Sequence, residues 1–430
     1  MTSAFLRSGR IRIAAWLAFA AVASSAAGGG MDIGFTHPDY RVYVPNQPTN
    51  RDKMDPNRKG DSYNDHFQVI WDEGRKLYYA FWTQASWEGA GDHHICFSRS
   101  ADRGRTWSEA ITLAGSEYRA HKDFDASWQQ PILTRSGRLY CFWTQDLGVG
   151  RGGGAVLAGS ISDDAGETWG PPMTVPLKDS VHGSHCLRYR TYWINWQRPL
   201  RLGKDGRYFV GSSVGDGVEF WRFENIDEDP KITDVGISYL SRGKGKTLDW
   251  TRMHEGPYFM ATGVKHPILA EASVVKLPDG RLFALMRSSV GHPLWSQSRN
   301  GGESWDDPKI LRTKDGGRKF LQPCSSCPIY DHAGCEAGSG RYFAFIQDTF
   351  DFANTNTHYQ TRGPYFLIAG KFNANAVQPI EFSEPKPFAG RESGNAFYTS
   401  YTVADGEGVL WYPDSKYYLL GRRIGKEWFE

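Results

Sequence analysis

Five Gly-Arg pairs, each opening an apolar strand after a turn, recur along this chain and constrain its fold more than any other feature. They are Gly74-Arg75 before Lys-Leu-Tyr-Tyr-Ala-Phe, Gly137-Arg138 before Leu-Tyr-Cys-Phe-Trp, Gly206-Arg207 before Tyr-Phe-Val, Gly280-Arg281 before Leu-Phe-Ala-Leu, and Gly340-Arg341 before Tyr-Phe-Ala-Phe. Asp405-Gly406 is a sixth, weaker member, and successive glycines lie 63, 69, 74, 60 and 66 residues apart. A unit of that length is a small antiparallel sheet that cannot bury both faces alone, so the units must stack radially as the blades of a propeller. The sequence therefore predicts an all-β, six-bladed β-propeller. Aromatic residues make up 14 % of the chain, and no long amphipathic helical run follows residue 30, which agrees. The last unit ends at Tyr417-Tyr-Leu-Leu-Gly421 with no outer strand, and the segment from Asp32 to Val44 is expected to supply it. A seventh blade built from that segment is the alternative.

The N-terminus has the layout of a secretory signal. Arg7, Arg10 and Arg12 precede an apolar run from Ile13 to Val22, and the small residues Ala23-Ser-Ser-Ala-Ala27 follow. The run is shorter than the roughly 20 residues a membrane span needs. A signal over residues 1–27 and one propeller domain over 31–430 are expected, in a secreted or periplasmic monomer without membrane insertion. The net charge of +2 gives no electrostatic case for nucleic acid. With export, Cys324, Cys327 and Cys335, with His332 nearby, read as a disulfide clamp on one loop, or as free thiols, ahead of a zinc site. His93-His94 is too short a cluster for a metal. No cofactor or metal is expected.

The inner strands of a propeller converge on its axis, so the residues at their leading ends share one well. Counting eight or nine residues back from each glycine gives His66, Gln129, Arg198, Glu271 and Tyr398, with Cys324-Ser-Ser-Cys327 in the fifth blade. Equivalent positions that hold different polar groups point to a site rather than to a structural repeat. Around Pro278-Asp279-Gly280 the fourth unit reads as a β-hairpin, which places Glu271 opposite Arg287. The structural alternative is an exposed ion pair worth under about 1 kcal/mol. In the insertion from Asn225 to Met260, Trp250 and Tyr258 are candidates for a sugar-stacking wall, with core packing as the alternative. Arg151-Gly-Gly-Gly154 reads as a blade connection, and His121, His182, His185 and His254 as loop residues at the rim.

A second signature closes three blades: Ser100-Ala-Asp102-Arg-Gly104-Arg-Thr106-Trp107, Ser162-Asp-Asp164-Ala-Gly166-Glu-Thr168-Trp169 and Ser298-Arg-Asn300-Gly-Gly302-Glu-Ser304-Trp305. In each, the Asp or Asn side chain is expected to bond turn amides, the Gly to take the positive-φ corner and the Trp to plug between sheets. On these motifs the chain resembles the Asp-box proteins of the sialidase (neuraminidase) superfamily. The resemblance implies Tyr398 as nucleophile, Glu271 as its base, Asp92 as acid/base, and Arg287 with Arg362 as carboxylate-binding arginines. One arginine of that family, in a Phe-Arg-Ile-Pro motif, is replaced here by Asn64-Asp65-His66-Phe67, and Arg198 is the candidate substitute. Asp65 and Gln129 complete the expected substrate-binding set.

The resemblance implies an exo-acting glycosidase that removes a terminal acidic sugar, sialic acid or a relative. His66 and the missing arginine leave open a β-elimination on a uronate, of the rhamnosyl-glucuronate type, with His66 or Tyr398 taking the C5 proton. A non-catalytic glycan-binding propeller is the third reading.

Overall fold

The computed structural model describes residues 37–45, 60–115, 125–146, 155–177, 196–214, 217–255, 267–350, 362–389 and 398–430. The signal segment, Arg151–Gly154, His121, His182, His185, Cys186 and Tyr258 lie outside them. The described residues form six sheets arranged as a six-bladed propeller.

Blade one is β2 (Tyr63–Asp72), β3 (Leu77–Ala85), β4 (His94–Ser100) and β5 (Ile111–Gly115). Blade two is β6 (Ala126–Leu133), β7 (Leu139–Asp146), β8 (Ala155–Ser162) and β9 (Met173–Thr174). Among the described residues blade three has β10 (Phe209–Val214), β11 (Gly217–Phe223) and β12 (Ile237–Leu240), with its inner edge a bridge between Leu200 and Phe209. Blade four is β13 (Leu269–Lys276), β14 (Leu282–Ser288), β15 (Leu294–Ser298) and β16 (Lys309–Ile310). Blade five is β17 (Ile329–Asp331), β18 (Arg341–Ile346), β19 (Tyr365–Phe372), β20 (Ile380–Phe382) and β21 (Lys386–Ala389). Blade six is β22 (Ser400–Ala404), β23 (Glu407–Asp414) and β24 (Tyr418–Arg423), and β1 (Tyr40–Tyr43) pairs with β24 as its outer strand. One sheet thus joins both ends of the described chain, which closes the ring.

Two sets of contacts hold the blades together. Around the axis runs a belt of hydrogen bonds between blades. The Val69 amide donates to Ser400 Oγ (2.9 Å), the Gln129 side-chain amide to the Phe81 carbonyl (3.1 Å), and the Val274 amide to Gln197 Oε1 (2.8 Å). Ser273 Oγ bonds the Ile329 carbonyl (3.0 Å), Tyr330 Oη the Thr399 carbonyl (2.8 Å), and the Gln68 amide the Trp196 carbonyl. Buried polar side chains at an axis where sheets crowd would be costly unless paired, and each of these finds its partner in a different blade.

Further out, the tryptophans of the three repeated turns are wedges, each against the preceding blade. Trp107 lies 5.7 Å from Trp411, Trp169 5.2 Å from Phe97, and Trp305 stacks 4.3 Å from Phe220. The turns have the hydrogen bonds expected of them. Asp102 accepts from the Thr106 amide (2.8 Å) and hydroxyl (2.6 Å), while Ser100 Oγ accepts from the Gly104 amide (2.9 Å). Gly104 sits at φ +83°, where a Cβ would also meet the Trp411 ring at 2.8 Å, so the corner requires glycine twice over.

The first part of the insertion after Asn225 packs into the core. Ile226, Ile232 and Val235 are buried in one cluster with Phe142 and Leu157 of blade two. Trp250 is 42 % exposed on a short turn at Trp250–Arg252.

The Thr106 hydrogen bonds hold the Asp102 carboxyl down to about 2. A depressed folded pKa stabilises the fold above the unfolded value near 4, and that stabilisation is lost as pH falls toward 2. The third turn is a natural control, since Asn300 makes the same bonds without a charge, accepting from the Ser304 amide and donating to its hydroxyl (2.9 Å each). Asp102→Ala is expected to cost about 1 kcal/mol at neutral pH. Asp102→Asn should melt close to wild type at pH 7 and lose less stability between pH 4 and 2, measured by thermal unfolding across that range.

Candidate active site

The hairpin β13–β14 keeps its expected register from Lys276 opposite Leu282 as far as Ser273 opposite Leu285, then slips by one residue. Arg287 therefore faces Ala270, not Glu271, which corrects the pairing expected from the turn. Glu271 is the extra residue of a β-bulge and sits at φ +51°. The Ser213 hydroxyl of blade three accepts the Glu271 amide at 2.8 Å and holds it there. A left-handed carboxylic residue in a strand is strained and persists only when its surroundings impose it. The strain aims the carboxylate across the well.

The same device recurs in two other inner strands. His66 (φ +52°) and Trp128 (φ +59°) are the bulged residues of β2 and β6. Blade two's counterpart of Glu271 is thus Trp128, not Gln129. Gln129 is fully buried, with its side-chain amide on the His66 and Phe81 carbonyls and its oxygen accepting from Thr83, so it serves as a strut between blades.

Glu271, Arg287 and Tyr398 form one cluster. Arg287 Nη1 donates to both Glu271 oxygens (2.9 Å each) and to Tyr398 Oη (3.1 Å), and Tyr398 Oη donates to the carboxylate at 3.1 Å. The Arg287 and Glu271 side chains are 13 % and 6 % exposed, so this is not a solvated surface pair. Burial, reinforced by Glu271, pushes the Tyr398 phenol well above its ordinary value, against the opposing charges of Arg287 and Arg362. Burial works against charge on Arg287, but Glu271 outweighs it and the guanidinium stays ionised. At neutral pH the cluster is a neutral phenol between a carboxylate able to take its proton and an arginine able to steady the resulting anion.

Cys324 joins a second arginine to this group. Arg287 Nε donates to its sulfur (3.4 Å) and Arg362 Nη2 to its carbonyl (3.0 Å). Cys335 does not complete a clamp. It lies past the far end of β17, and Cys324, Cys327 and Cys335 are all free thiols.

His66 stacks on the Tyr398 ring at 4.4 Å with the planes 16° apart, and Trp128 stands edge-on to it at 6.3 Å. Burial pulls the His66 pKa down despite the Asp65 carboxylate, leaving a neutral imidazole. Asp65 is fully buried and accepts from Tyr63 Oη (3.0 Å) and Lys416 Nζ (3.1 Å). Lys416 is buried at φ +52° in the β23–β24 connection, 5.6 Å from the Tyr398 ring. Nothing in its sequence surroundings marks it.

Of the other expected members, Arg198 stands elsewhere and Asp92 is engaged by a neighbour. The Arg198 guanidinium bonds the Pro199 carbonyl (3.1 Å), and its charge acts on Cys335 and Tyr208, toward the opposite end of the strands from Glu271. Where blade three has only a bridge, no bulge turns position 198 into the well. Asp92 is 1 % exposed, with its carboxylate accepting from the Ser86 amide and hydroxyl. A carboxyl not found by sequence lies beside it: Asp125, just before β6, accepts from the His93 amide (3.0 Å). Burial, with the charges of Asp146 and Asp92, raises Asp125 to about 7 against that hydrogen bond. His254 is at the surface, paired with Asp307 (3.1 Å).

Comparison with known proteins places this arrangement. No curated protein sequence matches the chain. Among solved structures it is similar to the NanB sialidase of Streptococcus pneumoniae, with a TM-score of 0.62 at 12 % identity, over 90 % of this chain and 71 % of that one. It is also similar to the intramolecular trans-sialidase of Ruminococcus gnavus (TM-score 0.56, 13 % identity, 90 % and 97 % covered). A Dyadobacter fermentans protein of unknown function is similar too (TM-score 0.56, 12 % identity, 91 % and 98 % covered). At such identities the likeness is one of fold. A model of the BNR repeat-like domain matches residues 76–321, more than half of the chain. With its Asp-type turns and six blades, the chain belongs to the BNR repeat-like family, and it shares the fold of the sialidases.

Proposed function

We propose that the protein is an exported exo-glycosidase that removes a terminal acidic sugar from a glycan, with Tyr398 as nucleophile. The observation that carries this reading is the contact of one phenol oxygen with both Glu271 and Arg287 inside a buried well. A neutral phenol approaches a carboxylate-bearing anomeric carbon without an anionic clash. As Tyr398 Oη bonds that carbon, its proton passes to Glu271 and the glycosidic bond breaks toward the leaving oxygen. Arg287 and Arg362 hold the sugar carboxylate. Asp125 is the better donor of the proton the leaving oxygen takes, because burial raises it toward neutrality whereas Asp92 is engaged by Ser86. Water then displaces Tyr398 and releases the sugar. Sialidases among the solved neighbours support an acidic substrate of this kind.

One observation favours a second reading. The neutral His66, parallel to Tyr398 and facing a well that holds two arginines, suits abstraction of a uronate C5 proton, with the arginines neutralising the carboxylate. Elimination would leave an unsaturated uronide that absorbs in the near ultraviolet.

A panel of sialosides and uronate-containing oligosaccharides separates the readings: a reducing sugar without that absorption marks hydrolysis, the absorption marks elimination, and no turnover marks a binding protein. Tyr398→Phe is expected to lower kcat by at least about 10³-fold in either enzyme. Glu271→Gln should lower it by roughly 10²- to 10⁴-fold for hydrolysis and much less for elimination. Full activity in both variants, measured at saturating substrate, would exclude this site.

The pH profile tests the proton donor. A carboxyl with a pKa of about 7 donates below that pH, so kcat/KM should fall as pH rises through it. Asp125→Asn should remove that alkaline limb together with most of the activity on poor leaving groups, and Asp92→Asn should keep the limb.

A further inference from the structure

Tyr398 lies between cations on two sides. Arg287 and Arg362 approach from blades four and five, and Lys416 lies over the ring from blade six. The two carboxylates on Lys416 differ in kind. Asp65, 3.1 Å away, is fully buried and tied to Tyr63, so it is a fixed partner. Glu88, 2.9 Å away on the β3–β4 connection, has a side chain 70 % exposed, while that of Lys416 is 8 % exposed. An exposed carboxylate holds a cation by under about 1 kcal/mol and surrenders it at little cost. Its departure would leave a buried ammonium one carboxylate short.

We infer that Lys416 is a third cation of the substrate site, standing in for the arginine that Asn64-Asp65-His66-Phe67 lacks, and that Glu88 is its displaceable counter-ion, occupying the place of an acidic group of the glycan. This rests on the reading of the well as an acidic-sugar site. It assigns specificity to a residue pair 328 positions apart in sequence, on two blades that the ring closure makes neighbours. Binding then exchanges one carboxylate for another, and a neutral sugar cannot dislodge Glu88 to the same effect.

The test is direct binding by calorimetry of free N-acetylneuraminic acid and free glucuronic acid, each beside its uncharged carboxamide. Glu88→Gln is a surface change that leaves the fold intact, and it should tighten binding of the acid about threefold while leaving the carboxamide unchanged. Lys416→Met should weaken the acid about tenfold or more and abolish the effect of Glu88→Gln in the double variant. If Lys416→Met fails to fold, the acid-against-carboxamide comparison in Glu88→Gln decides alone. Binding of an acid by wild type that Glu88→Gln leaves unchanged or weakens overturns the assignment of Lys416 and Glu88 and spares the acidic-sugar reading. Failure of both acids to bind either protein overturns both.

Discussion

The site depends on three residues being held in a left-handed conformation inside strands. His66, Trp128 and Glu271 each occupy a bulge, and each would save conformational energy, on the order of 1 kcal/mol or more, by relaxing into the regular ladder. Relaxation is blocked from outside the strand. Thr83 in the second strand of blade one accepts the Trp128 amide (3.0 Å), and Ser213 in the second strand of blade three accepts the Glu271 amide. Each hydroxyl belongs to the blade before the one it caps. The amide that a bulge removes from the ladder is therefore satisfied only when neighbouring blades are docked, so strain at the site and assembly of the ring are one energetic event.

This coupling explains which parts of the site were legible in the sequence. The Gly-Arg spacing is a local, repeated signal, and it carries the blade count and the closing strand. The hairpin register about Asp279 is equally local and holds as far as Ser273 and Leu285. The slip beyond that point comes from Ser213, 58 residues away, which no pattern within the hairpin reveals. The same blindness explains the one-place error at Gln129, where the bulge brings Trp128 to the well and sends Gln129 into the wall. Position 198 fails for the converse reason. Counting back from Gly206 assumes a full inner strand, and blade three has only a bridge. Lys416 and Asp125 are marked by no repeat at all, since both sit in connections between strands whose chemistry follows from the blades they touch. Of the two readings of Cys324, Cys327 and Cys335, the free thiols hold, with β17 running between Cys335 and the other two.

The charges of the well are also costly to keep. Glu271, Asp65 and Lys416 are buried and Arg287 is mostly so, and such pairs contribute less to stability than apolar packing of the same volume would. What offsets them lies elsewhere: the tryptophan wedges at Trp107, Trp169 and Trp305, and the apolar clusters that run from blade to blade. The fold separates these duties along the strand direction. The turns with their wedges lie at the end of the blades where β4 meets β5 and β15 meets β16, and the charged groups lie where β13 begins and β23 ends.

That separation bears on how such a site changes its substrate. A propeller whose closure and wedging are secured at one end can exchange residues at the other without losing the ring. In the proposed acidic-sugar reading, a first inner strand without an arginine would leave the substrate carboxylate short of a partner. Here His66 occupies the bulge, too short and too neutral to replace a guanidinium, but flat enough to stack on Tyr398. In the inference drawn above the cation is instead delivered by Lys416 from the β23–β24 connection, 5.6 Å from the ring centroid. The polarity around Tyr398 is thus asymmetric: Arg287 and Glu271 address the oxygen, while Lys416 and His66 address the ring face. In the proposed reading, a phenol flanked in this way has its proton governed from one side and its substrate's charge from the other, so the two can be altered independently.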